Sequence, residues 1–313
     1  MVSKMLDKIK AAKKVIVIGH VTPDGDCLGA QFGLKEIIKD TFNKEVYAVG
    51  ESSETLFFMG KLDTVTDDVF KEALVVLVDV ATIDRISDKR YELAEDIIKF
   101  DHHLGSEKTG SIDYVIPNIS SVCEMLALIA YEYKLKVSKY AAESLLTGII
   151  TDSGSFKFDG VSPDTFKAAS FLLECGADIV DVNKRISMVT LKELQMKAYV
   201  IDNMKTTDEG FVYCLITKKA MKDHDCIYEE ASNALSSLAN IYGYPIWALI
   251  LERDDEYRIR LRSNGPRIDT LAHMYGGGGH KMASGCHIFD VKEIENFAKD
   301  ADEILRKYKR GEE

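Results

Sequence analysis

The residues in this chain best suited to chemistry are aspartates and histidines placed directly after apolar runs. His20, Asp24 and Asp26 crowd into HVTPDGD behind the branched run VIVI, and Asp79 ends ALVVLVD. Asp101, His102 and His103 end DIIKFDHH, and Asp152 follows the apolar stretch LLTGIIT. Carboxylates mixed with imidazoles suit Mn²⁺ above all, with Mg²⁺, Co²⁺, Fe²⁺ or Zn²⁺ also compatible, and the lack of thiolates argues against a structural zinc knot. Four carboxylates converging on one point repel unless neutralised, and two divalent cations balance them. Two metals about 3.5–4 Å apart activate a water and steady both oxygens of an in-line phosphoryl displacement, so no side-chain nucleophile is required. The chain accordingly shows no G-x-S-x-G elbow, no P-loop and no G-x-G-x-x-G after a strand.

A second group lies downstream. Arg260, Arg262, Ser263 and Arg267 precede Gly276, Gly277, Gly278, Gly279, His280 and Lys281. Consecutive glycines let backbone N–H groups approach an anion, and arginine adds a planar fork for phosphate. Singly, each signal has a plain reading: D-G-D is a common turn, a strand-ending Asp caps a helix, and polyglycine is a flexible loop. Their conjunction points to a metal centre and a terminal-phosphate clamp.

The elements that must position these groups follow from hydrophobic period. Runs of branched aliphatics without polar alternation suit strands covered on both faces, and parallel sheets of that kind bind ligands beyond their strand ends. CLGAQFGLKEIIKD reads as a helix between two such strands, giving a βαβ start. SPDTFKAASFLLECGA carries a serine cap, proline in the first turn and a glycine stop. The stretch from 186 to 204 reads as a connecting helix, after which FVYCLIT, IWALILER and YRIRLRS restart the strands, the last two as a hairpin. The expected fold is α/β: an N-terminal doubly wound, mainly parallel sheet with helices on both faces, over residues 1–187. A linker helix over 188–207 and a smaller C-terminal α/β domain over 208–313 complete it.

Composition limits the partners. A net charge of −11 argues against a general nucleic-acid scaffold and leaves room for a local basic pocket, and two divalent ions would bring it to −7. The six cysteines are scattered without a C-x-x-C pair, as buried thiols are. MVSKMLDKIKAAKK reads as an amphipathic helix rather than a signal peptide, and no apolar run approaches the roughly 18 residues of a membrane span, so the expected location is the cytoplasm.

H20-x-x-x-D24-x-D26, D79, D101-H102-H103 and T151-D152 resemble, in order and spacing, the four motifs of the DHH phosphoesterase superfamily, and GGGGHKMASG resembles the signature of its DHH-associated substrate domain. The likeness spans nearly the whole chain and is strongest to the stand-alone subgroup that degrades very short RNA and dephosphorylates 3′-phosphoadenosine 5′-phosphate. One departure lies in IPNISSVCEML, where Ser121, Val122 and Cys123 stand in place of a frequent Ser-Thr pair. The resemblance implies that His20, Asp24 and Asp79 hold one metal, and Asp26, Asp79, His102 and Asp152 the other. It further implies that Asp79 bridges them, that His103 faces the scissile phosphate or leaving oxygen, and that Asp101 orients an imidazole. Arg262, Ser263, Gly276–Gly279 and His280 would hold the nucleotide end, and the enzyme would be a homodimer.

The function so implied is a Mn²⁺-dependent phosphoesterase acting on short oligonucleotides and 3′-phosphoadenosine 5′-phosphate, without an extended nucleic-acid track. Hydrolysis of cyclic di-AMP or its linear product pApA is the alternative within the superfamily. A manganese pyrophosphatase or a non-catalytic nucleotide-binding protein stand further off.

Overall fold

The computed structural model describes residues 1–312. These form two compact units, Met1–Met188 and the residues from Val189 onward.

In the first unit α1 (Val2–Ala11) leads to β1 (Lys14–Ile18), α2 (Gly25–Phe42) and β2 (Glu45–Val49). Then come α3 (Asp67–Lys71), β3 (Ala73–Val78), β4 (Asp96–Asp101) and β5 (Ile112–Val115), followed by α4 (Val122–Glu132), α5 (Lys139–Asp152), α6 (Pro163–Glu174) and α7 (Ile179–Ile186). The strand order is β2-β1-β3-β4-β5, all parallel. β1 pairs with β2 on one side and β3 on the other, so the winding reverses there and opens a crevice beyond their carboxyl ends. His20, Asp24 and Asp26 follow one of these two strands and Asp79 the other.

The branched run of β1 is buried on both sides because its neighbours alternate. Val15 and Val17 pack with residues of α1, α2, α4, α5 and α6, whereas Ile16 and Ile18 pack with Phe70, Val75 and Leu77. The two faces are unequal: six helices, α1, α2 and α4 to α7, contribute to one, and only the short α3 with 3₁₀ turns to the other. α2 and α5 approach closely because glycine recurs every fourth residue along α2. A Cβ at Gly25 would lie 2.2 Å from Thr151 Oγ1, and one at Gly29 would lie 2.6 Å from the Ser144 carbonyl. That contact brings Asp26 to Asp152, 126 positions further along the chain.

The connecting helix expected from 186 to 204 is present but starts about five residues later. α7 stops at Ile186, and α8 (Leu191–Asn203) starts after Thr190, whose hydroxyl and backbone N–H form a reciprocal capping box with Glu193. α8 buries Met196 and Val200 in the core of the second unit. There β6 (Lys205–Thr206), β7 (Phe211–Ile216), α9 (Lys218–Asp223), α10 (Tyr228–Asn233) and β8 (Ile246–Glu252) precede β9 (Tyr257–Ser263). α11 (Asp269–Met274), β10 (Gly278–His280), β11 (Ala283–Ile288) and α12 (Glu293–Lys309) close the chain. The six-stranded order is β10-β11-β9-β8-β7-β6, antiparallel except for β7 against β8. The expected β8–β9 hairpin is present, and strict alternation sends Ile259 and Leu261 into the core while Arg258, Arg260 and Arg262 share the opposite face.

The cysteines are all free, five of them buried. Among the described residues no helix is long and apolar enough to cross a membrane.

Candidate functional site

Asp79 lies at the centre of the first unit's cluster of carboxylates and imidazoles. It follows β3 with φ at +58°, a left-handed backbone uncommon outside glycine but tolerated by aspartate. Its side chain is buried, and Oδ1 has no hydrogen-bond partner. Three imidazoles surround this carboxylate: His20 Nε2 is 3.4 Å from Oδ2, while His102 Nε2 and His103 Nδ1 are each 3.5 Å from Oδ1. An orphaned buried oxygen flanked by ring nitrogens fits a cation-binding position.

Asp24 caps α2 through Oδ1, accepting from the backbone of Asp26 and Cys27 at 3.0 Å, and lies 3.8 Å from His20 Nε2. Asp26 turns inward from the first turn of the same helix. Its two oxygens accept from the N–H groups of Val122 and Cys123 at 2.7 and 2.8 Å, at the N-terminus of α4 where the helix dipole favours an anion. The SSVC segment that departs from the family pattern therefore holds a carboxylate. No local sequence signal marks that role, since residues 26 and 122 meet only in the fold. His102 Nε2 lies 3.4 Å from Asp152 Oδ2 and 4.0 Å from Asp26 Oδ2.

Hydrogen bonding also separates the paired histidines. His102 Nδ1 is 3.2 Å from the Ile119 carbonyl, which makes Nδ1 the donor and turns Nε2 toward Asp26, Asp79 and Asp152. His103 Nδ1 is instead 2.8 Å from Asp101 Oδ1, leaving its Nε2 free. Three sets of side chains are close enough to hold an ion: His20 with Cys27 and Asp79; Asp79 with His102 and His103; and Asp26 with His102 and Asp152. The Cys27 thiol lies behind His20, and burial pushes it up to about 11, so it stays protonated at neutral pH.

The electrostatics show the strain expected of converging acids. Burial, then repulsion from Asp79 and Asp152, raises the Asp26 carboxyl well above its usual range. Burial likewise pushes Asp152 up to about 6, with Asp79 and Asp24 adding to the shift and His102 opposing it. For His20, burial opposes the charge, but bonds to Asp24, Asp79 and Cys27 overcome it and favour the imidazolium. The bare cluster thus retains protons that a divalent cation would displace.

In the second unit, β9, β11 and β10 set Arg262, Ala283 and His280 in one cross-strand row, and Arg260, Gly285 and Gly278 in the next. Arg262 and His280 therefore share a face with only a methyl group between them. Ser263 points to the other face of β9, where its Oγ accepts from Gly265 N at 3.1 Å. The glycine run is not an open loop. Gly276 and Gly277 donate to the carbonyls of His273 and Ala272 at the end of α11, and Gly278 and Gly279 pair with β11. A Cβ at Gly277 would come within 2.1 Å of the Gly285 carbonyl, so close strand packing requires glycine there. Arg90, Arg185, Arg253, Arg267, Arg306 and Arg310 each pair with a carboxylate. Arg258, Arg260 and Arg262 have no such partner among the described residues, and Arg258 extends its guanidinium over Gly285. Arg258 was not singled out from sequence, although its two-residue spacing from Arg260 and Arg262 is the available signal.

A doubly wound sheet with acids and imidazoles at its reversal point, joined to a unit with a basic sheet face, defines a DHH-type phosphoesterase. The DHH family N-terminal domain matches residues 14–149 and the DHHA1 domain residues 208–307; the chain belongs to this family of hydrolases. It is 34% identical over 304 residues to the probable bifunctional oligoribonuclease and PAP phosphatase NrnA of Streptococcus mutans, covering 96% of this chain and 98% of that one. It is 31% identical over 312 residues to the bifunctional oligoribonuclease and PAP phosphatase NrnA of Bacillus subtilis, covering 98% and 100%. The crystal structure of an exopolyphosphatase-related protein from Bacteroides fragilis superposes with a TM-score of 0.88 at 25% identity, covering 97% of each chain.

Proposed function

We propose that this protein is a two-metal phosphoesterase, using Mn²⁺, that hydrolyses short oligonucleotides and 3′-phosphoadenosine 5′-phosphate. The observation that carries the reading is Asp79: a buried carboxylate with an unpartnered oxygen and ring nitrogens 3.4–3.5 Å from both its oxygens. His20, Asp24 and Asp79 would hold one ion, and Asp26, Asp79, His102 and Asp152 the other. When bound, the pair would supply an activated water and charge neutralisation at the phosphate.

The chain's own groups do the rest. Val122 and Cys123 N–H hold Asp26 in place, the Ile119 carbonyl fixes His102, and Asp101 fixes His103 with Nε2 directed at the reacting phosphate or leaving oxygen. Arg262, His280 and the strand-borne glycines beside them take the phosphate of the nucleotide end, and Ser263 braces the turn behind them. The names of the relatives at 34% and 31% identity support the substrate class. The acidic net charge supports short substrates, since long polyanions would meet repulsion beyond the local basic face. We further propose cytoplasmic residence and a homodimer.

The test is a panel assayed with Mn²⁺: dinucleotides, pentanucleotides, 3′-phosphoadenosine 5′-phosphate, pApA, cyclic di-AMP, pyrophosphate and longer single strands, compared by kcat/KM. Short oligonucleotides and 3′-phosphoadenosine 5′-phosphate should lead, EDTA should silence the enzyme, and Mn²⁺ should restore it better than Zn²⁺. A lead for cyclic di-AMP or pyrophosphate, or full activity in the chelator, would overturn the proposal.

A further inference from the structure

Lys99 lies on β4 two residues before Asp101, and its side chain is 0% exposed. A buried ammonium is unfavourable unless its donors and its charge are both answered. No carboxylate forms an ion pair with it among the described residues. Its Nζ donates to Ser106 Oγ at 2.8 Å and to the Glu107 carbonyl. Ser106 in turn donates to Asp101 Oδ2, and Asp101 Oδ1 accepts from His103 Nδ1 at 2.8 Å.

Donor chemistry orients this chain. Lysine has no acceptor, so Ser106 Oγ receives from Nζ and directs its one hydrogen at the carboxylate. Ionised Asp101 has no donor, so the proton in its contact with His103 belongs to Nδ1. Within this network Nε2 is left as the free nitrogen of His103.

We propose that Lys99 and Ser106 are positioning residues, locking Asp101 as an acceptor and thereby fixing the tautomer and ring orientation of His103. The proposal rests on the phosphoesterase reading for its kinetic consequence, but its structural consequence can be read without turnover. A lysine that merely pins the segment 102–108 to β4 would affect stability and leave His103 chemistry alone.

The test uses Lys99→Met, which keeps the apolar stem, with Ser106→Ala and the conservative Ser106→Thr in the full-length protein. Long-range ¹H–¹⁵N spectra of the metal-free protein should show His103 as a single Nδ1–H tautomer in the wild type and in Ser106→Thr, and as a mixture in Ser106→Ala. With Mn²⁺, Lys99→Met and Ser106→Ala should lower kcat about ten- to a hundredfold with KM and metal content nearly unchanged. In an Asp101→Asn background they should add little further loss. A single His103 tautomer in Ser106→Ala, kcat within twofold of wild type, or additive losses would overturn the inference. Should Lys99→Met fail to fold, the two Ser106 variants decide the matter. An inactive wild type with the tautomer pattern as expected would overturn the functional reading and leave the positioning role standing.

Discussion

Replacing Asp152 by Asn separates what this carboxylate does in the bare protein from what it would do as a metal ligand. Burial, aided by Asp79 and Asp24, pushes Asp152 from 3.8 up to about 6. At about 1.4 kcal/mol per pH unit that gap corresponds to roughly 3 kcal/mol favouring the protonated form. Because 29% of the side chain is still exposed, solvent screening reduces the working figure to about 2 kcal/mol. The sign follows from linkage: the folded state prefers the proton, so the stabilisation present at low pH is lost as pH rises from about 4 to about 6. Asparagine has no proton to lose.

The metal-free variant should therefore gain on the wild type across that window and hold a constant advantage above it. At roughly 2–4 °C per kcal/mol for a unit of this size, the gain is about 4–8 °C in Tm at pH 7.5 and about half that, roughly 2–4 °C, at pH 4.5. Saturating Mn²⁺ should invert the order, because the wild type alone keeps the ligand and binding linkage then favours it. Thermal melts of both proteins with EDTA and with Mn²⁺ at the two pH values measure all of this. A metal-free variant that melts at or below the wild type at pH 7.5, or an advantage equal at both pH values, would refute the reasoning.

Asp79→Ala should reduce turnover by about a thousandfold or more and weaken binding of both ions, read by activity and metal analysis; activity within tenfold of wild type would sink the shared-ligand reading. His280→Ala should raise KM about tenfold with metal content intact, and loss of metal from that variant would show that the basic face has been misassigned. Gly277→Ala sets a Cβ against the Gly285 carbonyl and should destabilise the second unit by about 1–3 kcal/mol while Mn²⁺ binding by the first persists, as followed by melting and metal titration.

Much of the carboxylate and imidazole cluster was legible in the chain alone, because each of its side chains follows a run whose period already fixes a strand or helix. Val15 to Ile18, Ala73 to Val78 and Asp96 to Asp101 form parallel strands, and the Asp and His residues fall at or just beyond their ends. The alternation in YRIRLRS likewise determines that its arginines share a face. These are local properties, set by the two-residue repeat of a strand and the near four-residue repeat of a helix. The division of labour between His102 and His103 is different in kind, since their neighbours in sequence are the same and only the Ile119 carbonyl and Asp101 separate them.

Long-range contacts decided the remainder. Asp26 is held by N–H groups 96 and 97 positions away, and the close α2–α5 packing depends on Thr151 meeting a glycine across two helices. The glycine run, which by composition is a flexible loop, becomes an edge strand because β11 lies within reach of its backbone. Ser263 is separated from Arg262 by nothing more than the pleat. The chain by itself therefore determined which side chains could meet a metal or a phosphate. The tertiary structure decided which nitrogens and which carboxylate oxygens face one another around Asp79, because those choices depend on hydrogen-bond partners that only folding brings together.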